Sequence, residues 1–429
     1  MSSVVLMLIV LLMILSLLAA LFWSYVLLLP SQRRAPLFLY DHGDSPDRLN
    51  GAFPTDDVTT PYADDPPRFP PITIIAPGRN EGHLLSETLG SLCSMSYPDF
   101  RVIFVDDQST DNSREVLATL AARHPHLTVL HNTTPPPAGW IGKTWAITQA
   151  EPYTRDAGWL LFTDSDLVYH PDCLTQAMRL ALHRRADLLS LLPGLRYESF
   201  GELLGLLPAM TLITLKLPLY RANDPATPVA LVAGGFFLIN GETYRHLGGH
   251  AGVRGQVIED VAFGQRAKAA GRRVYTAATH DLIVARMYEG FRDTFGGLKK
   301  NAYAGANYNP LAILPIAAFL ALLGAAVPLY LLAAMVLACV EPSGVTLTTL
   351  AFALVAFVAQ SIAGVRASRL LGFSAITALT LAPGLGFFLL IFLGSVVDHY
   401  RGGNTWAGRK MHPTDVQSLD KSTTPPAPR

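Results

Sequence analysis

The densest chemical signal in this sequence is acidic. The apolar run Leu160-Leu161-Phe162-Thr163 ends in Asp164-Ser165-Asp166. Two aspartates separated by one residue can hold a hard divalent cation through oxygen and leave positions for phosphate oxygens. An upstream run, Val102-Ile103-Phe104-Val105, ends in Asp106-Asp107 and continues through Ser109-Thr110-Asp111. An acid after a strand often caps the next helix, which suits Asp111. Two consecutive acids directly after a buried strand suit a crevice better. A third acidic pair, Glu259-Asp260, precedes the helical pattern Val261–Ala270. One of these acids can deprotonate an acceptor hydroxyl as a general base; both equally suit a helix N-terminus, where negative charge is favoured.

Basic and small residues complement the acids. Lys143 closes Gly139-Trp140-Ile141-Gly142-Lys143, a turn opening a helix, where backbone donors and an ammonium suit an anion. Arg79 follows the first apolar run, and Arg286 lies in Ala285-Arg286-Met287-Tyr288; each also fits an ordinary surface cation. Gly234-Gly235 would let a sugar or backbone approach closely. A diphosphate leaving group gains negative charge as its bond breaks, and a cation bridging its phosphates stabilises that charge. His170 and His280 have no partnered spacing and read as structural. Cys93, Cys173 and Cys339 show neither metal-ligand spacing nor an even framework, and fit free thiols in a reducing compartment.

These groups need elements to position them. Short apolar or β-branched runs at Ile72–Ala76, Arg101–Val105, Leu127–Leu130 and Trp159–Phe162 alternate with helical patterns near Gly82–Met95, Asn112–Arg123 and Lys143–Glu151. The alternation predicts an α/β domain over residues 72–309 with a mostly parallel sheet. Such sheets bind ligands at the carboxyl ends of their strands, near a topological switch point. Within that domain, residues 200–220 form an apolar helical pattern containing Gly201, Gly205, Pro208 and Pro218. It fits either a buried helix or one lying in a membrane interface.

Half of the 429 residues are hydrophobic and 15% are charged, against about 25% in an ordinary soluble domain. The imbalance is local: Val4 to Leu29 carries no charge, and Leu311 to Val397 carries only Glu341, Arg366 and Arg369. About 20 apolar residues in a helix cross a bilayer core. Residues 1–30 therefore read as an uncleaved anchor: the run is too long for a signal peptide, and Arg33-Arg34 follows it instead of preceding it. That basic pair predicts a cytoplasmic catalytic domain in a multi-pass protein of the cell (inner) membrane. Residues 31–71, rich in Pro and Asp, read as a linker. Residues 310–398 form a C-terminal membrane region with candidate spans near Leu311–Val340, Val345–Val365 and Leu371–Val397, followed by a polar tail, 399–429. Four spans would put the C-terminus outside, whereas Arg401, Arg409 and Lys410 favour inside, so one apolar segment is expected to be re-entrant or interfacial. With 33 basic and 33 acidic residues, no nucleic-acid partner is implied.

In order and spacing, Pro77-Gly78-Arg79-Asn80-Glu81, Val105-Asp106-Asp107-Gln108-Ser109-Thr110-Asp111, Asp164-Ser165-Asp166 and Glu259-Asp260 resemble the family-2 inverting glycosyltransferases with the GT-A fold. The resemblance covers about Ile72 to Asn309. Gly139 to Trp145, Arg286-Met287-Tyr288-Glu289-Gly290-Phe291-Arg292, Lys300-Asn301 and Trp406-Ala407-Gly408-Arg409 look closest to hopanoid-biosynthesis-associated and related carotenoid-type enzymes. The resemblance implies a Rossmann-like GT-A domain between membrane helices, and a hexosyltransferase acting on a UDP- or GDP-linked sugar. The acceptor it implies is a membrane lipid, a hopanoid or similar isoprenoid. Pro77, Arg79, Glu81, Asp106, Asp107, Lys143 and Asp164 would contact the nucleotide sugar, and Asp164 and Asp166 would hold Mg2+ or Mn2+. Asp260 would be the catalytic base, with Gly234, Gly235, Glu259 and Arg286 near the acceptor or diphosphate. Two departures stand out. Arg79 replaces an aromatic residue common in the first motif. The Gln-x-x-Arg-Trp motif of processive synthases is absent, since Met287-Tyr288 follow Arg286, which argues against polymer synthesis. The alternatives are a polysaccharide synthase, a polyprenyl-phosphate glycosyltransferase and a degenerate membrane scaffold. A sugar nucleotidyltransferase would carry a glycine-rich phosphate loop where this chain has Pro77 to Glu81.

Overall fold

A computed structural model describes residues 3–29, 69–279, 282–401 and the backbone of 405–406 and 409–410. Most of the linker read at 31–71, most of the tail and His280 lie outside the described residues. The chain divides into two compact units: residues 1–33, 197–216 and 288–404 form one, and 34–196, 217–287 and 405–429 the other. The stretch 72–309 is thus shared between them.

The α/β unit begins with β1 (Ile72–Gly78), buried at every position. A strand covered on both faces needs a continuous apolar run, not an alternating one, and Ile72-Thr73-Ile74-Ile75-Ala76 supplies it. Next come α2 (Leu85–Cys93), β2 (Phe100–Asp107), α3 (Ser113–Arg123), β3 (Leu127–Asn132), α4 (Gly142–Thr148), β4 (Trp159–Phe162), β5 (Leu167–Tyr169), α5 (Cys173–Arg184), β6 (Leu188–Leu192) and β7 (Gly194–Leu195). After an excursion into the other unit, α6 (Phe200–Lys216), the chain returns as α7 (Leu219–Ala222), β8 (Phe237–Asn240), α8 (Gly241–His246), α9 (Glu259–Ala269), β9 (Val274–Ala278) and β10 (Ile283–Ala285). The main sheet has seven strands in the order β3-β2-β1-β4-β8-β6-β9. It is parallel except at β8, which runs antiparallel to β4 and β6. Strands β1 and β4 are adjacent and parallel, so the strand order reverses at β1, a switch point of the kind at which open sheets bind ligands. One face of the sheet is covered by apolar residues of α2, α3 and α5, including Leu89, Leu117 and Leu174. The other is covered by α4, α8 and α9 through Ile147, Tyr244 and Phe263. A smaller sheet, β5-β10-β7, completes the unit.

The other unit is helical: α1 (Ser3–Leu28), α6, α10 (Gly290–Ala302), α11 (Ile313–Ala318), α12 (Val327–Val340), α13 (Gly344–Leu370) and α14 (Leu381–Arg401). Pro208 lies inside α6 and cannot donate to the carbonyl of Leu204. A Cβ at Gly384 would lie 2.7 Å from that carbonyl oxygen, so glycine lets α14 approach the break. Glu202, fully buried on α6, accepts from the N–H groups of Gly290 and Glu198, both at 2.7 Å, and from Ser199 Oγ at 3.0 Å.

Among the described residues, Val4–Leu28, Gly344–Leu370 and Ala375–Arg401 are long and apolar enough to cross a membrane. The segment read as one span near Leu311–Val340 is divided instead. Residues 290–306 and 310–325 meet at a bend of 108°, Phe319–Ala325 is a π-helix, and α12 has 14 residues, about 21 Å of helix. The wider turn leaves carbonyls that Trp23 Nε1 and Gln360 Nε2 satisfy at Leu323 and Gly324, at 2.7 and 2.8 Å.

Candidate active site

Strands β1 and β2 run on together past the end of β4. Gly78 pairs with Asp106 and Ile75 with Phe162, so the residues after Phe162 emerge beside Pro77 and Gly78. Ser165 Oγ donates to the Pro77 carbonyl at 3.1 Å. A Cβ at Gly78 would lie 2.6 Å from Phe104 Cζ and 3.1 Å from Ser165 Oγ. The turns after β1 and β2 are tied together: Asn80 N–H donates to Ser109 Oγ at 2.9 Å, and Thr110 N–H to Asn80 Oδ1 at 2.7 Å. Asn80 and Gln108 both take left-handed backbone, φ 58° and 59°, uncommon for residues with a Cβ and concentrated at constrained sites. Asp111 works locally, as its position after the strand suggested. It accepts from Gly82 N–H at 3.0 Å and from Ser113 N–H at 3.1 Å. Burial opposes its charge, but the Ser113 hydroxyl and these N–H groups together hold it below the usual carboxylate range.

At one end of this rim, Asp107 is fully buried and accepts from Asn132 Nδ2 at 2.7 Å, while its carbonyl receives Arg79 Nη1 at 2.9 Å. Asp106 Oδ2 lies 2.8 Å from His131 Nδ1. His131 and Asn132 face Asp106 and Asp107 through the parallel register of β2 with β3. Nothing in their local sequence singles them out; only the register brings them to the site.

The other end gathers the remaining charges. Lys143 Nζ lies 2.6 Å from Asp164 Oδ1 and 2.7 Å from Glu259 Oε1. Asp260 Oδ2 accepts from Gly234 N–H at 2.6 Å, and its Oδ1 from Val261 N–H at 2.8 Å. A Cβ on Gly234 would stand 2.9 Å from Lys143 Nζ, 3.2 Å from Asp260 Oδ2 and 3.5 Å from Asp164 Oδ2. Gly234 is therefore the point on which Lys143, Asp164 and Asp260 converge. Gly235 is needed for packing: its Cβ would meet Leu167 Cδ1 at 3.0 Å. Its carbonyl accepts from Thr163 Oγ at 2.7 Å and Tyr169 hydroxyl at 3.4 Å, which fastens the glycine pair to the end of β4. Lys268 Nζ holds the loop leading to it, within 3.3 Å of the carbonyls of Arg221, Asp224, Thr227 and Val229.

The electrostatics follow from burial and crowding. Burial opposes the Lys143 charge, but Asp164, Glu259 and Asp260 together hold its ammonium well above the ordinary range. Burial, then Glu259, pushes Asp260 up to about 7 against the opposing pull of Lys143. Glu81 also rises to about 7, through burial and then repulsion by Asp166 and Asp164, with Ser165 opposing. Glu81 Oε2 is enclosed without a hydrogen-bond partner. Glu81, Asp164 and Asp166 thus interact electrostatically and offer only oxygen donors, one of them orphaned, the donor type that a hard divalent cation takes. Arg286 follows β10, whose Ala285 pairs antiparallel with Leu167, the residue after Asp166.

Another residue not singled out in the sequence is His250. It is buried among Phe162, Phe237 and Phe263 with its Nδ1 3.0 Å from Tyr244 hydroxyl. Burial, then Lys143, lowers it to about 3, so it is neutral. His170, read as structural, accepts from Asp172 N–H at 3.2 Å.

Comparison with known proteins identifies the family. The profile of "Glycosyl transferase family 2" matches residues 73–206, and that of "Glycosyl transferase family group 2" matches residues 159–390. A 4,4'-diaponeurosporenoate glycosyltransferase of Staphylococcus haemolyticus is 25% identical over 240 residues, 55% of this chain and 62% of that protein. The Staphylococcus aureus enzyme of the same name is 27% identical over 242 residues, 55% of this chain and 61% of that protein. The chain thus spans about three fifths of the length of these relatives. A solved mannosyltransferase of Pyrobaculum calidifontis, in complex with GDP-Man and Mn2+, superposes with a TM-score of 0.47 at 20% identity, covering 78% of this chain and 88% of that one. The fold is GT-A-like, and with a match spanning more than half of its length the chain belongs to glycosyl transferase family group 2.

Proposed function

We propose that this protein is an inverting glycosyltransferase that moves a sugar from a UDP- or GDP-linked donor onto a lipid drawn from the bilayer. The observation that carries this reading is the convergence of Lys143, Asp164, Glu259 and Asp260 around Gly234. It joins the acid-bearing end of β4 to the start of α9 and puts an ammonium among carboxylates. In this reading, Pro77, Arg79, Asp106 and Asp107 form the nucleotide end, and Lys143 with Arg286 faces the diphosphate. Glu81, Asp164 and Asp166 would hold Mg2+ or Mn2+, which when bound neutralises charge on the departing diphosphate. Asp260 takes the proton from an acceptor hydroxyl as that oxygen attacks the anomeric carbon and the nucleotide diphosphate departs from the opposite face. A carboxyl near pH 7 is well matched to that task. Two N–H groups fix both of its oxygens, so little reorientation precedes transfer.

The lipid acceptor is supported by the helices long and apolar enough to span a membrane and by the staphylococcal relatives, named for a carotenoid-like lipid acid. A hopanoid or similar isoprenoid alcohol is the acceptor we favour, from the motif resemblance. Three spans, with segment 310–340 not crossing, give one consistent topology. The α/β unit and the C-terminal basic residues Arg401, Arg409 and Lys410 are then both cytoplasmic, as the positive-inside rule requires.

The test is transfer of radiolabel from UDP- and GDP-sugars into lipid extract by detergent-purified protein with Mn2+, beside Asp260→Asn. We expect one labelled lipid with the wild type and none with the variant. Full transfer by Asp260→Asn removes the base from this reading, and a product ladder on a gel makes the protein a polymer synthase instead. A carboxylate acceptor arrives ionised and needs no base, so Asp260 dependence also separates an alcohol acceptor from an acid.

A further inference from the structure

At the opposite end of the strands, beside the edge strand β3, Cys93 meets a pair of histidines that lie two residues apart further along the chain. Cys93 ends α2, His124 caps the C-terminus of α3, and His126 stands just before β3. One ligand atom from each side chain lies within 4.8 Å of the others. The cluster belongs to the amino end of β3, whereas Asn132, at its carboxyl end, serves the active site. Six residues of strand, roughly 17 Å, separate the two. We propose that Cys93, His124 and His126 bind a thiophilic divalent cation of the zinc class, one thiolate and two imidazoles with an outer position left to water.

Three features support this. The donor set is one that zinc takes, and tetrahedral Zn–S and Zn–N bonds of about 2.3 and 2.1 Å place ligand atoms about 3.5 Å apart, within reach by side-chain rotation. The backbone is held in place: Val102 N–H donates to the His126 carbonyl and Leu127 N–H to the His124 carbonyl, both at 2.9 Å. The third is the orientation of His126. Its Nε2 lies 3.0 Å from the Cys93 carbonyl, and because a carbonyl only accepts, that nitrogen carries the proton and Nδ1 keeps its lone pair. A ligating imidazole typically donates its other N–H to a carbonyl or carboxylate in this way. Cys93 is 3% exposed, and both histidines are half-buried, which leaves an entry path on their side. Binding replaces the thiol proton, S–H becoming S–metal with release of H+. Burial pushes that thiol up to about 12, so affinity should rise about tenfold per pH unit above neutrality.

The full chain, purified in detergent and stripped with a chelator, is titrated with Co2+ as the spectroscopic probe. We expect a thiolate-to-cobalt charge-transfer band in the near ultraviolet with tetrahedral d–d absorption, saturating at one ion and displaced by Zn2+. The oxygen-only Asp164–Asp166 site cannot produce the thiolate band. Cys93→Ser should abolish it, and His124→Ala, at a half-exposed position that should leave folding intact, should weaken Co2+ binding at least about tenfold. Absence of the band in the wild type, or its persistence in Cys93→Ser, overturns the proposal.

Discussion

Replacing Gly234 by alanine tests whether Lys143, Asp164 and Asp260 work as one group. The backbone tolerates the change, since Gly234 is not among the residues with positive φ. The obstacle is the side chain. Its Cβ would sit 2.9 Å from Lys143 Nζ and 3.2 Å from Asp260 Oδ2, where van der Waals contact calls for about 3.5 Å or more. The ammonium must then retreat by about 0.6 Å, away from pairs now 2.6 and 2.7 Å long, and Asp260 must shift by a few tenths of an ångström. A misplacement approaching 1 Å costs about 100-fold in rate, so we expect transfer to fall about 30- to 100-fold, about 2–3 kcal/mol of barrier. Stability should move the other way or hardly at all. Alanine for glycine at a compatible backbone position gains about 0.4–1 kcal/mol through the unfolded chain, against some loss in the loosened ion pairs. The assay pairs radiolabel transfer into lipid with thermal unfolding of the same preparation. Activity within threefold of wild type, or a loss matched by the fraction unfolded, would refute the reasoning.

Lys143→Met leaves Asp164, Glu259 and Asp260 crowded without a cation. We expect a loss of about 2 kcal/mol, below the range for fully buried pairs because Asp164 is 36% exposed, with recovery as pH falls toward 5 and Asp260, raised to about 7, takes up its proton, read from unfolding midpoints across pH. The pH profile of kcat/KM for an alcohol acceptor should show an acid limb of unit slope near pH 7, because Asp260 is active only when ionised and its carboxyl is raised to about 7. The same raised value means the native state binds that proton more tightly than the unfolded chain does. Between about pH 4 and 7, acidification therefore does not unfold the protein through this group, and circular dichroism should stay flat while activity falls; a flat activity profile contradicts the assignment. Glu202→Ala removes the acceptor of the Gly290 and Glu198 N–H groups and the Ser199 hydroxyl and should cost about 3 kcal/mol, measured as thermal inactivation in detergent, with Glu202→Gln intermediate.

The strands, the acids at their ends and the apolar spans were legible in the sequence because each is a local property. A continuous β-branched run such as Ile72–Ala76 declares a doubly covered strand, and a polar residue that ends such a run must emerge at the sheet's rim. Asp106, Asp107 and Asp164 are placed by that rule alone, and so is the parallel sheet through β4. What the sequence could not carry is who meets whom across the fold. Lys143 pairs with Glu259 from more than a hundred residues away, Gly234 stands where they and Asp260 converge, and Cys93 joins two histidines with which it shares no spacing. The reversed strand β8 and the change to π-helix at Phe319 were equally hidden, since hydropathy reports that a segment is apolar and not how its carbonyls are paired. Periodicity encodes how one element is buried, whereas an ion pair or a ligand set depends on sheet order and register. Those are chosen by the packing of all the elements at once.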